Sequence, residues 1–256
     1  MVIKNEDDIL KQIESIKEQY KTEAISAKVE GDTIIPGVSG IEINVKKSYK
    51  KMKRINEFND NLLVYESIKP KVSVEKVYDK YIISGNKTKK EVSLLFLLQN
   101  NDDVNKIVSI LDDNDILATF YTDGLWFENN NEIVIELIKQ GHIIGNLGYN
   151  YSYNNSDITW MNAVVTKLAN QKDTYCYNID KNKEALDRCH SNSSYTITPS
   201  ILVKNNALIN VKKNLENGSI IALEVNENLI KELQLVIDYI HSKDLEVVTI
   251  EELLDE

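Results

Sequence analysis

From Lys89 onward, short apolar runs and amphipathic stretches of helical period follow each other at nearly even intervals. "EVSLLFLL" is a continuous apolar run, as expected of a strand buried on both faces. "DDVNKIVSILDDND" follows, with Val104, Ile107, Val108 and Leu111 on one helical side. "ILATFYT" reads as a strand, and "NNNEIVIELIKQG" as a helix closed by Gly141, a residue type common just past a helix end. The pattern repeats through "HIIGN", "TYCYN", "YTITPSILV", "SIIALEV" and "LEVVTI" as strands. Between them lie "DITWMNAVVTKLANQ", with Asp157 or Thr159 near its cap, "KNKEALDRCHSN", "INVKKNLENG" and "NENLIKELQLVIDYIHSKD" as helices. Strands separated by helices run parallel with right-handed crossovers. About seven such strands suit a closed or nearly closed α/β architecture, a (β/α) barrel. An open doubly wound sheet is the alternative.

Upstream of Lys89 the pattern is less regular. Ile9, Ile13, Ile16 and Tyr20 recur at spacings of three and four, which predicts an amphipathic helix over Asp7–Ala27. "GDTIIPGVSGIEIN" places a turn cluster between two apolar runs. "VKKSYKKMKRI" is helical, and "LLVYESIKP" and "KYIISGN" are strand-like. Residues 1–88 are therefore assigned to a small N-terminal α/β unit and 89–256 to the barrel.

Charge narrows the function. The chain carries 30 Lys and Arg against 40 Asp and Glu, a net charge of −10. This argues against nucleic acid as a partner, because phosphate binding needs clustered cations. The one basic cluster, "KKSYKKMKR", reads as the wet face of a helix. No run approaches the ~20 apolar residues that span a bilayer, and the charged start "MVIKNEDDILKQ" is not a signal peptide. A cytoplasmic protein, or an exported one whose leader lies upstream, both fit. Two cysteines, Cys176 and Cys189, are too few for a structural zinc site. They are unrelated thiols in a reducing compartment or a disulfide in an oxidising one. No dinucleotide fingerprint, P-loop or nucleophile elbow is present.

"KKEVSLLF", "ILATFYTDGLWFENNNEIVIELIKQGHIIGN", "NGSIIALEV" and "LEVVTIEELL" together resemble the polysaccharide deacetylase (NodB homology) family, from about Lys89 to Leu254. The most specific part, "ATFYTDGLW" followed by "GHIIGN", is similar to the family's Ala-Thr-Phe-Phe-x-x-Gly-x-Trp and Gly-His-Glu-Ile-Gly-Asn-His. The resemblance implies a deformed (β/α) barrel. It also implies metal-dependent removal of acetyl groups from N-acetylated sugars such as chitin and peptidoglycan. In that chemistry an Asp and two His hold a divalent cation, a second Asp is the general base and a late His the general acid.

Position by position those groups are missing. The family's Thr-Phe-Asp-Asp-Gly-Pro falls on "LFLLQN", so the base and the metal-binding carboxylate become Leu97 and Leu98. Its His-(Ser/Thr)-x-x-His falls on Leu147 and Tyr151, and its late Leu-Leu-His on "ALE", putting Glu224 at the acid position. Arg-Pro-Pro-Tyr-Gly aligns near "CYNID", with neither arginine nor proline. Losing every ligand leaves nothing to hold the ion, so neither metal nor other cofactor is expected, and the chain reads as a degenerate, inactive member. Gly141, His142, Gly145 and Asn146 keep the frame of the strand and its turn. His142 matches a family histidine that is not a ligand, and His190 and His241 fall on helices.

Two carboxylates remain for an alternative active deacetylase: Asp123 after the second barrel strand and Glu224 after a late one. Asp102 and Asp103 read instead as caps of the helix starting at Val104. The expected cleft is rich in Tyr121, Trp126, Tyr149, Tyr151, Tyr153, Trp160, Tyr175 and Tyr177, rings that stack on sugars or simply pack. Candidate ligand-binding residues are Asp123, Trp126, Tyr149, Tyr151, Tyr177 and Glu224. A cell-wall glycan or an envelope protein is the expected partner. The whole chain, including "YC" and "RC", is similar to membrane-anchored deacetylase-like proteins of Gram-positive bacteria. That implies an extracytoplasmic location, membrane contact only through an N-terminal anchor absent from this sequence, and a Cys176–Cys189 disulfide.

Overall fold

A computed structural model describes residues 6–98, 104–150 and 152–256. In chain order its elements begin with α1 (Glu6–Ile16), β1 (Lys28–Glu30), β2 (Thr33–Ile35), β3 (Gly40–Ile43), α2 (Val45–Met52), β4 (Tyr65–Ile68) and β5 (Tyr81–Ile82). There follow β6 (Glu91–Leu98), α3 (Val104–Asp112), β7 (Thr119–Thr122), α4 (Gly124–Asn129), α5 (Asn131–Lys139), β8 (Ile143–Asn146), α6 (Asn155–Ala169) and β9 (Tyr175–Tyr177). The rest are α7 (Lys183–Ser191), β10 (Tyr195–Ile197), β11 (Ile201–Val203), α8 (Ala207–Asn214), β12 (Ile220–Glu224), α9 (Glu227–His241), β13 (Glu246–Val248) and α10 (Ile250–Leu254). Two compact units result. One comprises the segment ending at Ala27, Gly37–Ser73 and Glu256; the other comprises Lys28–Pro36 and Val74–Asp255.

In the smaller unit, Ile9 and Ile13 of α1 meet Ile43, Met52 and Leu63 in a core of their own. β3 and β4 pair antiparallel, Gly40 opposite Ile68. The helix expected over Asp7–Ala27 stops at Ile16, followed by a 3₁₀ turn at Lys17–Gln19. Beyond it the backbone leaves the helical path to bridge β3 and the residues before it, Thr22 to Ile41 and Ile25 to Val38. Tyr20, which extended the helical period in sequence, is exposed.

The larger unit is a curled mixed sheet, a half-barrel, flanked by helices. Its strand order is β1-β2-β5-β10-β9-β8-β7-β6-β12-β11, with β13 also on β6. Among its described strands only β1 and β2 pair antiparallel; the other strand pairings are parallel, as the alternation requires. β2 and β5, from the irregular part of the sequence, join this sheet. β6 is an interior strand, with β12 and β11 beyond it. It pairs β12 on one side; on the other its residues 91–93 pair β13 and its residues 95–98 pair β7.

Val92, Leu94, Phe96 and Leu98 of β6 join Phe120, Ile144, Ile221 and Leu223 and the apolar sides of α3 and α9 in one core. Strand alternation therefore turns Ser93, Leu95 and Leu97 to the barrel interior. Gly141 takes a positive φ of 94° just past α5, as its position predicts.

Several boundaries in this unit differ from the sequence reading. "YTITPSILV" is two strands, because Pro199 lacks an N–H and breaks the run; β10 pairs β5 and β9 while β11 pairs β12. α6 starts earlier than expected: Asn154 is its cap, accepting from the Asp157 N–H at 3.1 Å. The residues after the last expected strand form helix α10, which opens with a capping box in which Thr249 and Glu252 bond reciprocally.

Candidate functional site

Catalytic residues of parallel barrels stand at the C-terminal ends of the strands. Strand register places Glu224, Leu97, Tyr121 and Gly145 side by side at that end, one from each of four neighbouring strands. Leu97 is buried and faces the interior; Leu98, one residue on, is fully buried in the core beneath the helices. Leu147 is buried, and its N–H donates to the Thr122 carbonyl at 3.0 Å. None of the three leucines can ligate a metal. Tyr151, Asp102 and Asp103 lie outside the described residues. Among the described residues no three His, Cys, Asp or Glu side chains converge as a metal site would require.

Aromatic side chains fill the interior instead. The Tyr121 ring covers Gly145 so closely that a Cβ there would sit 2.4 Å from it. Only glycine tolerates that approach. Tyr121 meets Tyr177 edge-on, centroids 5.6 Å apart, and Tyr153 donates its hydroxyl to the Tyr177 carbonyl at 2.8 Å. Tyr175 stacks on Tyr195 at 5.9 Å, and the Tyr195 hydroxyl accepts from the Lys76 N–H. Burial raises the pKa of each of these five phenols above the ordinary tyrosine value, that of Tyr195 to about 12. The hydroxyls of Tyr121 and Tyr177 are buried and make no hydrogen bond among the described residues.

The two spare carboxylates have other partners. Asp123 is buried and caps α4, Oδ1 accepting from the Trp126 N–H at 2.9 Å. Glu224 is half-buried and pairs with Lys204 at 3.2 Å. β6 lies between their strands, and register sets Glu224 level with Tyr121, two residues short of Asp123. Trp126 is only 7% exposed and belongs to the outer core, so its ring offers no open face. Tyr149 is half-buried, donates to Glu128 at 2.7 Å and packs edge-on against Trp160. The half-buried Tyr177 is the candidate nearest the interior.

The retained frame is held by Asn146 and His142. Asn146 donates to the Ile158 carbonyl and to Asn162 Oδ1, and accepts from the Gly148 N–H. His142 Nδ1 accepts from the Ala118 N–H at 3.1 Å, and burial lowers its pKa. His190 and His241 are exposed on α7 and α9. Cys176 of β9 and Cys189 of α7 form a disulfide, both fully buried. Sequence reasoning missed Tyr195 and Lys204. Tyr195 was recoverable, since "YTI" repeats the alternation of "YCY" on the neighbouring strand.

These features define a deacetylase-type half-barrel in which Leu97, Leu98 and Leu147 hold the base position and two of the three metal positions. The polysaccharide deacetylase family model matches residues 84–217, and the chain belongs to that family. It is 37% identical over 118 residues to the uncharacterized protein YlxY of Bacillus subtilis (strain 168), a match covering 46% of this chain. A Geobacillus stearothermophilus protein, also uncharacterized, is 32% identical over 80 residues. The matches span 37% and 29% of these two curated relatives' lengths. Among solved structures, the fold is shared with BA3943 from Bacillus anthracis, described as a pseudoenzyme of carbohydrate esterase family 4. The TM-score is 0.76 at 21% identity, over 96% of this chain and 95% of that one. The peptidoglycan N-acetylglucosamine deacetylase Bc1960 matches with TM-score 0.62 and 20% identity, over 69% of this chain and 95% of that one.

Proposed function

We propose that this chain is a catalytically inactive polysaccharide deacetylase fold, exported and acting at the bacterial cell wall as a glycan-binding protein. The observation that carries the loss of activity is the set of leucines at positions 97, 98 and 147. They remove the base, the metal-binding carboxylate and one imidazole together, and no leucine takes a proton or binds a cation. An active enzyme built on Asp123 and Glu224 is disfavoured, because the first is engaged as a cap and the second in an ion pair. Export is supported by the disulfide, a bond that persists in oxidising compartments. Glycan is favoured as ligand because Tyr177 and Glu224 stand at the C-terminal ends of the strands, where parallel barrels carry their sites, and because Bc1960, which shares the fold, is a peptidoglycan N-acetylglucosamine deacetylase.

Elemental analysis and assays on acetylated chitooligosaccharides with added zinc, cobalt or manganese are expected to give no stoichiometric metal and no turnover. Turnover would overturn the inactive reading. Titration with peptidoglycan fragments is expected to show binding that weakens about tenfold on Tyr177→Ala. Absence of binding at millimolar ligand would leave an envelope protein as the partner.

A further inference from the structure

The basic cluster of the sequence becomes a surface in the smaller unit. On α2 and the turn after it, Lys46, Lys50 and Lys53 form one stripe, and Lys47, Lys51 and Arg54 a second beside it. All six are exposed. The opposite side of the helix is buried, at Ser48 and Met52, and Met52 enters the unit's core. Lys46, Lys47, Lys50, Lys51 and Arg54 have no carboxylate partner among the described residues.

This arrangement works against the helix that carries it. Cations at positions 46 and 47 occupy the first turn, where the helix dipole is positive. α5, α6, α7, α9 and α10 place Glu132, Asp157, Glu184, Glu227 and Glu251 there instead. Like charges also face each other at i,i+4 in Lys46/Lys50, Lys47/Lys51 and Lys50/Arg54, which destabilises a helix. The charge is segregated as well. The smaller unit carries 12 Lys and Arg against 11 Asp and Glu, and the larger 18 against 29.

We infer that this face of α2 is a docking surface for the anionic headgroups of a phospholipid bilayer. Two rows of cations on a convex helix present charge to a plane rather than enclosing a single chain. Ile55, directly after Arg54, is 51% exposed and supplies an aliphatic side chain beside the charges. Clustered lysines with a neighbouring apolar group are the signature of reversible attachment to an anionic membrane. No helix among the described residues is long and apolar enough to cross one. The inference does not depend on glycan binding.

The test is cosedimentation of the full chain with vesicles of equal parts phosphatidylglycerol and phosphatidylcholine, and with vesicles of phosphatidylcholine alone. Binding is expected only to the anionic vesicles, and to disappear as salt rises from about 0.05 M to about 0.5 M. Each removed lysine should weaken partition about threefold to fivefold, so K46Q/K47Q/K50Q/K51Q should lose at least about 80-fold. The charge-preserving K46R/K47R/K50R/K51R should keep it, and K167Q/K172Q/K213Q/K231Q, exposed lysines of the larger unit, should leave it unchanged. Equal binding to both vesicle types, retention by the α2 glutamine variant, failure of the arginine variant, or capture by soluble polyphosphate but not by vesicles would each overturn the inference.

Discussion

Gly145 and Tyr121 show how the interior is packed at the level of single atoms. A Cβ at position 145 would collide with the Tyr121 ring, so Gly145→Ala is expected to cost about 1–3 kcal/mol. Tyr121→Leu removes the ring, and in that background the same alanine should cost little; denaturant titration of the four proteins measures the coupling. Leu98 gives the complementary case. It is fully buried among apolar neighbours, so Leu98→Asp places an uncompensated carboxylate there and should destabilise by more than about 3 kcal/mol. The residue types at positions 97, 98 and 147 are legible in the sequence, because side-chain chemistry is fixed by identity. The direction in which Leu98 points is not, because it depends on strand alternation continuing to the last residue of β6.

The helices and strands were legible wherever a periodic pattern was long. β6, α3, α5 and α9 fall inside the stretches read as such. α4 was missed because it has six residues, and its start is marked only by the cap of Asp123. α10 was missed for the same reason, although Thr249 and Glu252 spell a capping box. Thr249→Ala removes the box and should cost about 1 kcal/mol, read as a lowered denaturation midpoint. β10 and β11 were merged because periodicity cannot say which neighbour each short strand will choose. The Cys176–Cys189 bridge ties β9 to α7. Replacing both cysteines by alanine should lower stability by about 3 kcal/mol. With both sulfurs buried, thiol labelling after dithiothreitol should stay slow in native buffer and become fast in denaturant.

For the molecule as a whole, the buried phenols set an alkaline limit. Tyr121, Tyr153, Tyr175, Tyr177 and Tyr195 have raised pKa values in the folded state. Below pH ~10 they are neutral both folded and unfolded and contribute full stability. Above it the unfolded chain loses protons that the folded chain keeps, so stability falls as pH rises. Each such group adds about 1.4 kcal/mol per pH unit to the slope. Absorbance at 295 nm should therefore show these five of the 13 tyrosines ionising only as circular dichroism is lost. His142 acts on the acid side: its lowered pKa means stability is present above about pH 6.5 and declines as pH falls below it. β6 bears on how the chain comes into being. Its residues 91–93 find one of their two neighbours only in β13, Glu91 opposite Glu246. At ribosomal speeds of about 5–20 residues per second, that neighbour is made about 8–30 s after β6 itself. For that interval an interior strand of the half-barrel has a bare edge, open to pairing with a second nascent chain.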